Sequence, residues 1–263
     1  MNLVRVITTG IVLTVLASYS HAGAADLLVM AKPGELPIII NAPHGGSEAV
    51  PGIRAREKGK ILKDEYTLEL AEALANRLQK LLGTRPYIVA ARFSRKYIDA
   101  NRKEATAYSG KEAKPYYDEY HRRIREFVAE IRKKYPGGAL LIDIHGQSAD
   151  NGAVYRGTRK GTTVDHLLNK YGCSSLAGEK SIFGVLASRG YRIVPANSEP
   201  DCLIEEARYV GGYTVATYGS NNADGVDAIQ LEIGAHLRRM PAFADDLAEA
   251  IAVFYKSFLV GRR

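Results

Sequence analysis

The chain has 263 residues, 46% of them hydrophobic and 25% charged, a balance that excludes a disordered, collagen-like or low-complexity protein and supplies enough apolar mass for a large core. Its formal charge of +7 comes from 36 Lys and Arg against 29 Asp and Glu. These are scattered with no basic stripe interleaved with aromatics, which excludes a nucleic-acid groove.

The chain opens with Met1-Asn2-Leu3-Val4-Arg5, continues as an apolar run from Val6 to about Leu16, and then offers Ala22-Gly23-Ala24. A basic start, an apolar middle and small residues at the end read as a secretory signal peptide over residues 1–24. The run is shorter than the roughly 20 residues a bilayer span needs, and no later stretch is long and apolar enough to form one. The expectation is therefore a periplasmic or secreted protein with no membrane span in its mature chain, and one α/β domain over residues 25–263. Cleavage after Ala24 leaves 263 − 24 = 239 residues and, with Arg5 removed, a charge of 7 − 1 = +6. Mild basicity of this kind favours anionic substrates.

Between Asp26 and Asn41 two apolar runs flank Lys32-Pro33-Gly34-Glu35, turn chemistry for a hairpin or a strand-to-strand connection. The second run ends in Pro43-His44-Gly45-Gly46. A helix is predicted from near Asp64, because Leu70, Ala71, Leu74, Leu78 and Leu81 form one stripe and Gly83 supplies the stop. Arg85 to Phe93 reads as a strand that runs into the polar segment Ser94–Arg102. Pro115 opens a long helix with Tyr117, Tyr120, Ile124, Phe127, Ile131 and Tyr135 on one face, closed by Pro136-Gly137-Gly138. The stretch Ala139–Ser148, ALLIDIHGQS, is a buried strand that delivers polar side chains at its end. Leu176–Arg189 reads as a helix, Tyr191–Val194 and Ala228–Ile233 as strands, and Pro241 starts a last helix that buries Phe243, Leu247, Ile251, Phe254 and Phe258. Strands alternating with helices predict an α/β fold with a mixed, mostly parallel sheet flanked by helices.

His44 and His145 both sit at strand ends beside glycines, and in open α/β sheets such ends border the ligand crevice. Two imidazoles at one place point to zinc, which in catalytic sites takes three protein ligands and keeps one position open. A carboxylate should complete the set. Glu48 is nearest to His44 in sequence, and Asp64 stands at the helix start. A solvated loop charge accounts for Glu48 without a metal, and a helix cap does so for Asp64. Asp143 shares a strand face with His145 and is placed to orient it. Glu232 lies inside the strand-like run Ile229–Ile233, where a buried charge must be paired or employed; as general base it would move protons. Asn101 and Arg102 follow a strand end, where a guanidinium can grip a carboxylate through two hydrogen bonds. Arg95 and Arg156 are further candidates for substrate contacts. Cys173 and Cys202, the only cysteines, are too few for a structural zinc site but can close a disulfide in an oxidising compartment.

These residues, taken in order, resemble the N-formylglutamate amidohydrolase family. The matching motifs are His44-Gly45-Gly46, Asp64-Glu65-Tyr66-Thr67 with Leu70-Ala71, Ser94-Arg95, Asp99-x-Asn101-Arg102, Tyr120-His121, Asp143-Ile144-His145, Gly211-Gly212-Tyr213 and Gln230-Leu231-Glu232. The resemblance implies a zinc-dependent hydrolase with a fold similar to zinc carboxypeptidases and aspartoacylases. It also implies His44, Asp64 and His145 as metal ligands, Glu232 as base and Asn101-Arg102 as the site for a substrate carboxylate. Carboxypeptidases place a glutamate three residues after the first histidine; Ser47 stands there, and the acid-x-x-Thr pattern on Asp64 and Thr67 selects Asp64 over Glu48. Gly146 stands where the family commonly has serine. The activity implied is cleavage of the amide bond of a small acidic N-acyl amino acid such as N-formylglutamate. Export admits a secreted peptidase acting on γ-glutamyl or cell-wall peptides as an alternative, and a binding protein on the same scaffold as a third. In the enzymatic readings the partner is a small molecule or short peptide bearing a carboxylate.

Overall fold

The apolar runs read from the sequence become strands that are buried on both faces. In the computed structural model, which describes residue 23 and residues 25–260, seven strands form one sheet. They are β1 (Val29–Lys32), β2 (Ile38–Ala42), β3 (Tyr87–Ala91), β4 (Leu140–Gln147), β5 (Ala153–Gly157), β6 (Arg192–Val194) and β7 (Asp227–Gly234). The spatial order is β1-β3-β2-β4-β7-β5-β6, with antiparallel pairing only at β1·β3 and β5·β7. The mixed, mostly parallel sheet is thus as expected. The signal-peptide reading falls on residues 1–24 and, apart from residue 23, lies outside the described residues.

Among the described residues six α-helices of six residues or more flank the sheet: α1 (Thr67–Leu82), α2 (Lys114–Lys134), α3 (Asp165–Tyr171), α4 (Ile182–Ser188), α5 (Tyr213–Tyr218) and α6 (Pro241–Phe254). On one face Ile38, Ile40, Ile142, Ile144 and Leu231 pack against Leu70 and Leu74 of α1 and Phe243 and Leu247 of α6. On the other, Ile39, Leu141 and Ala228 pack against Tyr120, Ile124 and Ile131 of α2. Double coverage explains why β2 and β4 are continuous apolar runs rather than alternating ones. Among the described residues no helix is long and apolar enough to cross a membrane.

Local departures from the sequence reading have physical causes. The segments flanking Pro33-Gly34 are both strands but do not form a hairpin, because β3 lies between them. Leu81, counted in the α1 stripe, is exposed at the last turn. Only Ile182–Ser188 of the expected 176–189 helix is helical, started by Ser181, whose hydroxyl accepts from Gly184 N–H. Strand β5 was not anticipated: its Ala-Val-Tyr-Arg-Gly sequence is short and carries a charge.

What positions the site is register. β2, β4 and β7 run parallel side by side, so their C-terminal ends share one edge. Asn41 pairs with Asp143, Asp143 with Gln230, and His145 with Glu232. Residues in register on adjacent strands point to the same face. Four polar side chains of β4 and β7 therefore gather at the open end of the α2 face.

Candidate metal centre and active site

Three donor atoms converge at that edge. His44 Nδ1 and His145 Nδ1 are 3.0 Å apart, and Asp64 Oδ2 lies 3.4 Å from the first and 3.5 Å from the second. Zinc bonds of about 2.0–2.2 Å at tetrahedral angles separate nitrogen and oxygen donors by about 3.3–3.6 Å; both histidine–carboxylate sides fall in that range, and the imidazole–imidazole side is tighter, at hydrogen-bond distance. All three residues are buried. Each imidazole is fixed from behind: His44 Nε2 lies 2.7 Å from Asp99 Oδ1, and His145 Nε2 lies 2.9 Å from Asp143 Oδ2. A carboxylate that accepts the Nε2 proton leaves the Nδ1 lone pair free for a metal.

The local sequence accounts for each ligand. Pro43 follows the end of β2 and turns the chain, so His44 lies beyond the last ladder bond. A Cβ on Gly45 would come within 2.4 Å of Leu68 N and 2.8 Å of Thr67 Oγ1, so only glycine lets this turn lie against the start of α1. Asp64 N donates to His44 O at 3.0 Å, and Thr67 Oγ1 donates to Asp64 O at 2.8 Å. The cap position of α1 is Tyr66, without a side-chain cap. Asp64 does not serve as the cap; its Oδ2 accepts from Gly146 N at 3.0 Å instead. Glu48 is exposed, bonds only through its backbone, to Arg92 and Ser94, and is not among the three converging donors.

The ionisation of the carboxyls is set by their neighbours. Burial opposes ionisation of Asp64, but the facing His145 and His44 outweigh it and hold the carboxyl well below its usual range. Asp99 is buried too, and His44, Arg95 and Arg56 keep it ionised. Burial pushes the Glu232 carboxyl above its ordinary value, against the pull of His145. Glu232 Oε1 accepts from Gln230 Nε2 at 2.9 Å. Below the candidate ligands a polar chain continues inward: Asp143 Oδ1 accepts from Asn41 Nδ2 at 2.6 Å, and Asn41 Oδ1 accepts from Tyr120 Oη at 2.5 Å.

Asp99 gathers the arginines. It accepts from Arg95 Nε at 3.0 Å and Arg102 Nε at 3.1 Å, with Arg56 Nη1 at 3.5 Å. Arg95 is further occupied by Asp64 Oδ1, 3.5 Å from its Nη1. Arg102 bonds through Nε and is partly exposed at the cleft. Asn101 also lines the cleft, but its Oδ1 accepts from Thr214 N at 2.7 Å, which ties it to α5. Arg156 is not at the cleft. It stands in register with Leu231, on the face opposite Glu232, where it is fully buried over the Phe183 ring and donates to Cys202 O at 2.9 Å. The cleft itself measures about 310 Å³ and also presents Lys60, Arg208 and Tyr209. Sequence reasoning passed over these three because they sit on irregular loops without a motif.

The wall that carries Arg208–Gly212 is anchored at its base. Cys173 and Cys202 form a disulfide, Arg156 holds Cys202 O, and Glu205 accepts from Thr158 Oγ1 at 2.6 Å and Lys160 N at 2.8 Å. Replacing both cysteines by serine should cost about 3–4 kcal/mol for a loop of this length and lower Tm by roughly 10 °C. A thermal melt of the double variant beside the oxidised protein measures it.

Comparisons with known proteins bear on the family and the fold. Residues 110–238 match the family model for N-formylglutamate amidohydrolase. That match bears out the resemblance drawn from the motifs, and the segment includes His145 and Glu232. The N-formylglutamate amidohydrolase structure from Ralstonia eutropha JMP134 superposes with a TM-score of 0.57 at 19% identity, covering 87% of this chain and 96% of that one. A gene product of Agrobacterium tumefaciens superposes with a TM-score of 0.55 at 14% identity, covering 89% and 96%. Both share the fold. No curated protein matches the sequence.

Proposed function

We propose that the chain is an exported, zinc-dependent amidohydrolase that cleaves the amide bond of a small acidic N-acyl amino acid, N-formylglutamate being the model substrate. The observation that carries this reading is the triangle of His44 Nδ1, Asp64 Oδ2 and His145 Nδ1 beside a carboxyl in register with His145. The disulfide supports export to an oxidising compartment. Zinc held by these three residues would supply Lewis acidity and bring the pKa of water from 15.7 down to about 7.

The chain's own groups do the rest. Glu232, its affinity for protons raised by burial, takes the proton of the water that attacks the acyl carbon and delivers it to the leaving nitrogen as the C–N bond breaks. Asp99 and Asp143 hold the imidazoles in the required tautomer. Arg102, braced by Asp99 through Nε, keeps its terminal nitrogens for the substrate carboxylate. Arg102→Ala removes charge-assisted hydrogen bonds of about 1.5–3 kcal/mol and is expected to lower kcat/KM by roughly ten- to a hundredfold.

The test pairs metal analysis of the purified protein with a substrate panel. Near-stoichiometric zinc and release of formate from N-formylglutamate support the reading. Zinc with shortening of γ-glutamyl or stem peptides and no formate replaces the substrate, and zinc with no hydrolysis favours a binding protein.

A further inference from the structure

The turn that follows β7 sends one long side chain back across the ends of the strands. Arg238, in the 3₁₀ turn Leu237–Arg239, is half-buried. Among the described residues its hydrogen bonds go to backbone carbonyls: Nε donates to Glu65 O at 2.7 Å, and Nη1 donates to Ile233 O and reaches Gln147 O at 3.4 Å. Glu65 follows Asp64 in the chain, Ile233 follows Glu232, and Gln147 ends the strand of His145. One guanidinium therefore joins the backbones of three segments, each of which carries a residue of the candidate site. A planar group with five N–H donors in fixed directions suits such a junction; an ammonium does not.

The closest fit is at Gly146. It stands in register with Ile233, and a Cβ on it would come within 2.6 Å of Arg238 Cζ and 2.7 Å of Nη1. Successive side chains of a strand point to opposite faces, so the guanidinium lies behind β4, on the side away from the His145 ring. It does not line the cleft. Its two outer contacts, Glu65 O and Gln147 O, flank a single hydrogen bond between segments, that from Gly146 N to Asp64 Oδ2 at 3.0 Å. Burial lowers the guanidinium's proton affinity, and the charges of Asp64 and Glu232 draw it back.

We propose that Arg238 is a positioning residue of the metal centre: it holds the Asp64 carboxylate against the strand that carries His145, and position 146 is glycine to leave room for the guanidinium. The inference rests on the metal-centre reading of the triangle and goes beyond it by naming what keeps two of the three donors in place.

The test measures the zinc Kd, by competition with a chromophoric chelator, for wild type, Arg238→Ala, Gly146→Ala, the double variant and Arg239→Ala, beside melts of the same proteins without zinc. Arg238→Ala should raise Kd by about ten- to a hundredfold, the usual cost of losing a group that orients a ligand from behind. A pure charge effect has the opposite sign, because removing a cation beside the triangle favours zinc. Gly146→Ala displaces the guanidinium without removing it and should raise Kd by about tenfold; in the Arg238→Ala background it should change Kd by less than about twofold. Arg239, exposed over the Tyr66 ring, makes none of these bonds, and Arg239→Ala should leave Kd within about twofold. If Arg238→Ala does not fold, Gly146→Ala decides the matter alone. A merely structural role would lower the zinc-free Tm and leave Kd unmoved. That result overturns the proposal, as does an equal effect of Gly146→Ala in both backgrounds or a loss in Arg239→Ala as large as in Arg238→Ala. Zinc bound alike by wild type and variants removes the positioning role and leaves the metal centre standing; no zinc binding by wild type removes both.

Discussion

Glu232→Gln is expected to lower kcat by a factor of about 10²–10⁴, the usual contribution of a positioned general base, with zinc content and Tm unchanged. The amide has the shape of the carboxyl and can still accept the hydrogen bond from Gln230 Nε2, so β7 has no reason to move. Glu232 is outside the ligand triangle, so the metal should be retained. What disappears is the capacity to take a proton beside His145. The loss corresponds to about 2.7–5.5 kcal/mol of transition-state stabilisation. Because burial makes the ionised acid costly in this place, the neutral amide should not destabilise the fold. Single-turnover kinetics with metal analysis and a melt on the same preparation check all three expectations. A kcat within threefold of wild type would remove Glu232 from the chemistry.

Much of this site was legible because its residues lie on regular strands. His145, Asp143 and Glu232 stand at strand ends in an order that the apolar runs of β4 and β7 define, and period-two alternation correctly put Asp143 and His145 on one face. The relation between strands was not legible. That His145 stands opposite Glu232, and Asn41 opposite Asp143, depends on which strands are neighbours, and a single chain does not reveal this. The same gap misassigned Arg156: offered as a candidate for substrate contacts, it belongs to an unanticipated strand whose register turns it to the opposite face. Asp99 was legible only as a member of the Asp99-x-Asn101-Arg102 motif. Its larger role, holding His44 Nε2 and three guanidinium groups, arises from packing between segments distant in sequence. Lys60 and Arg208 had no signal at all, since an exposed lysine or arginine on a loop has the same composition whether it faces a cleft or the solvent.

Asp64→Asn should abolish the zinc binding proposed for wild type, and with it the activity. A bound metal stabilises the folded protein by mass action, about 4 kcal/mol when free zinc is 1,000 times its Kd, which for a chain of this size moves Tm by about 8–16 °C. Chelation of wild type should therefore lower Tm by that order and eliminate hydrolysis, and added zinc should restore both. In Asp64→Asn neither change should occur, because the two imidazoles lose the anion that draws the cation, although Asn can still accept from Gly146 N. Even a residue acting only behind a ligand typically costs ten- to a hundredfold in metal affinity, so a direct ligand should cost at least about a hundredfold. Glu48→Gln is the discriminating partner. Glu48 is nearer to His44 in sequence but exposed and outside the donor group, so its variant should keep the full zinc-dependent rise in Tm. A zinc response lost in Glu48→Gln and kept in Asp64→Asn would mean that the loop after His44 rearranges on metal binding, and the three-atom triangle would then be the wrong coordination set.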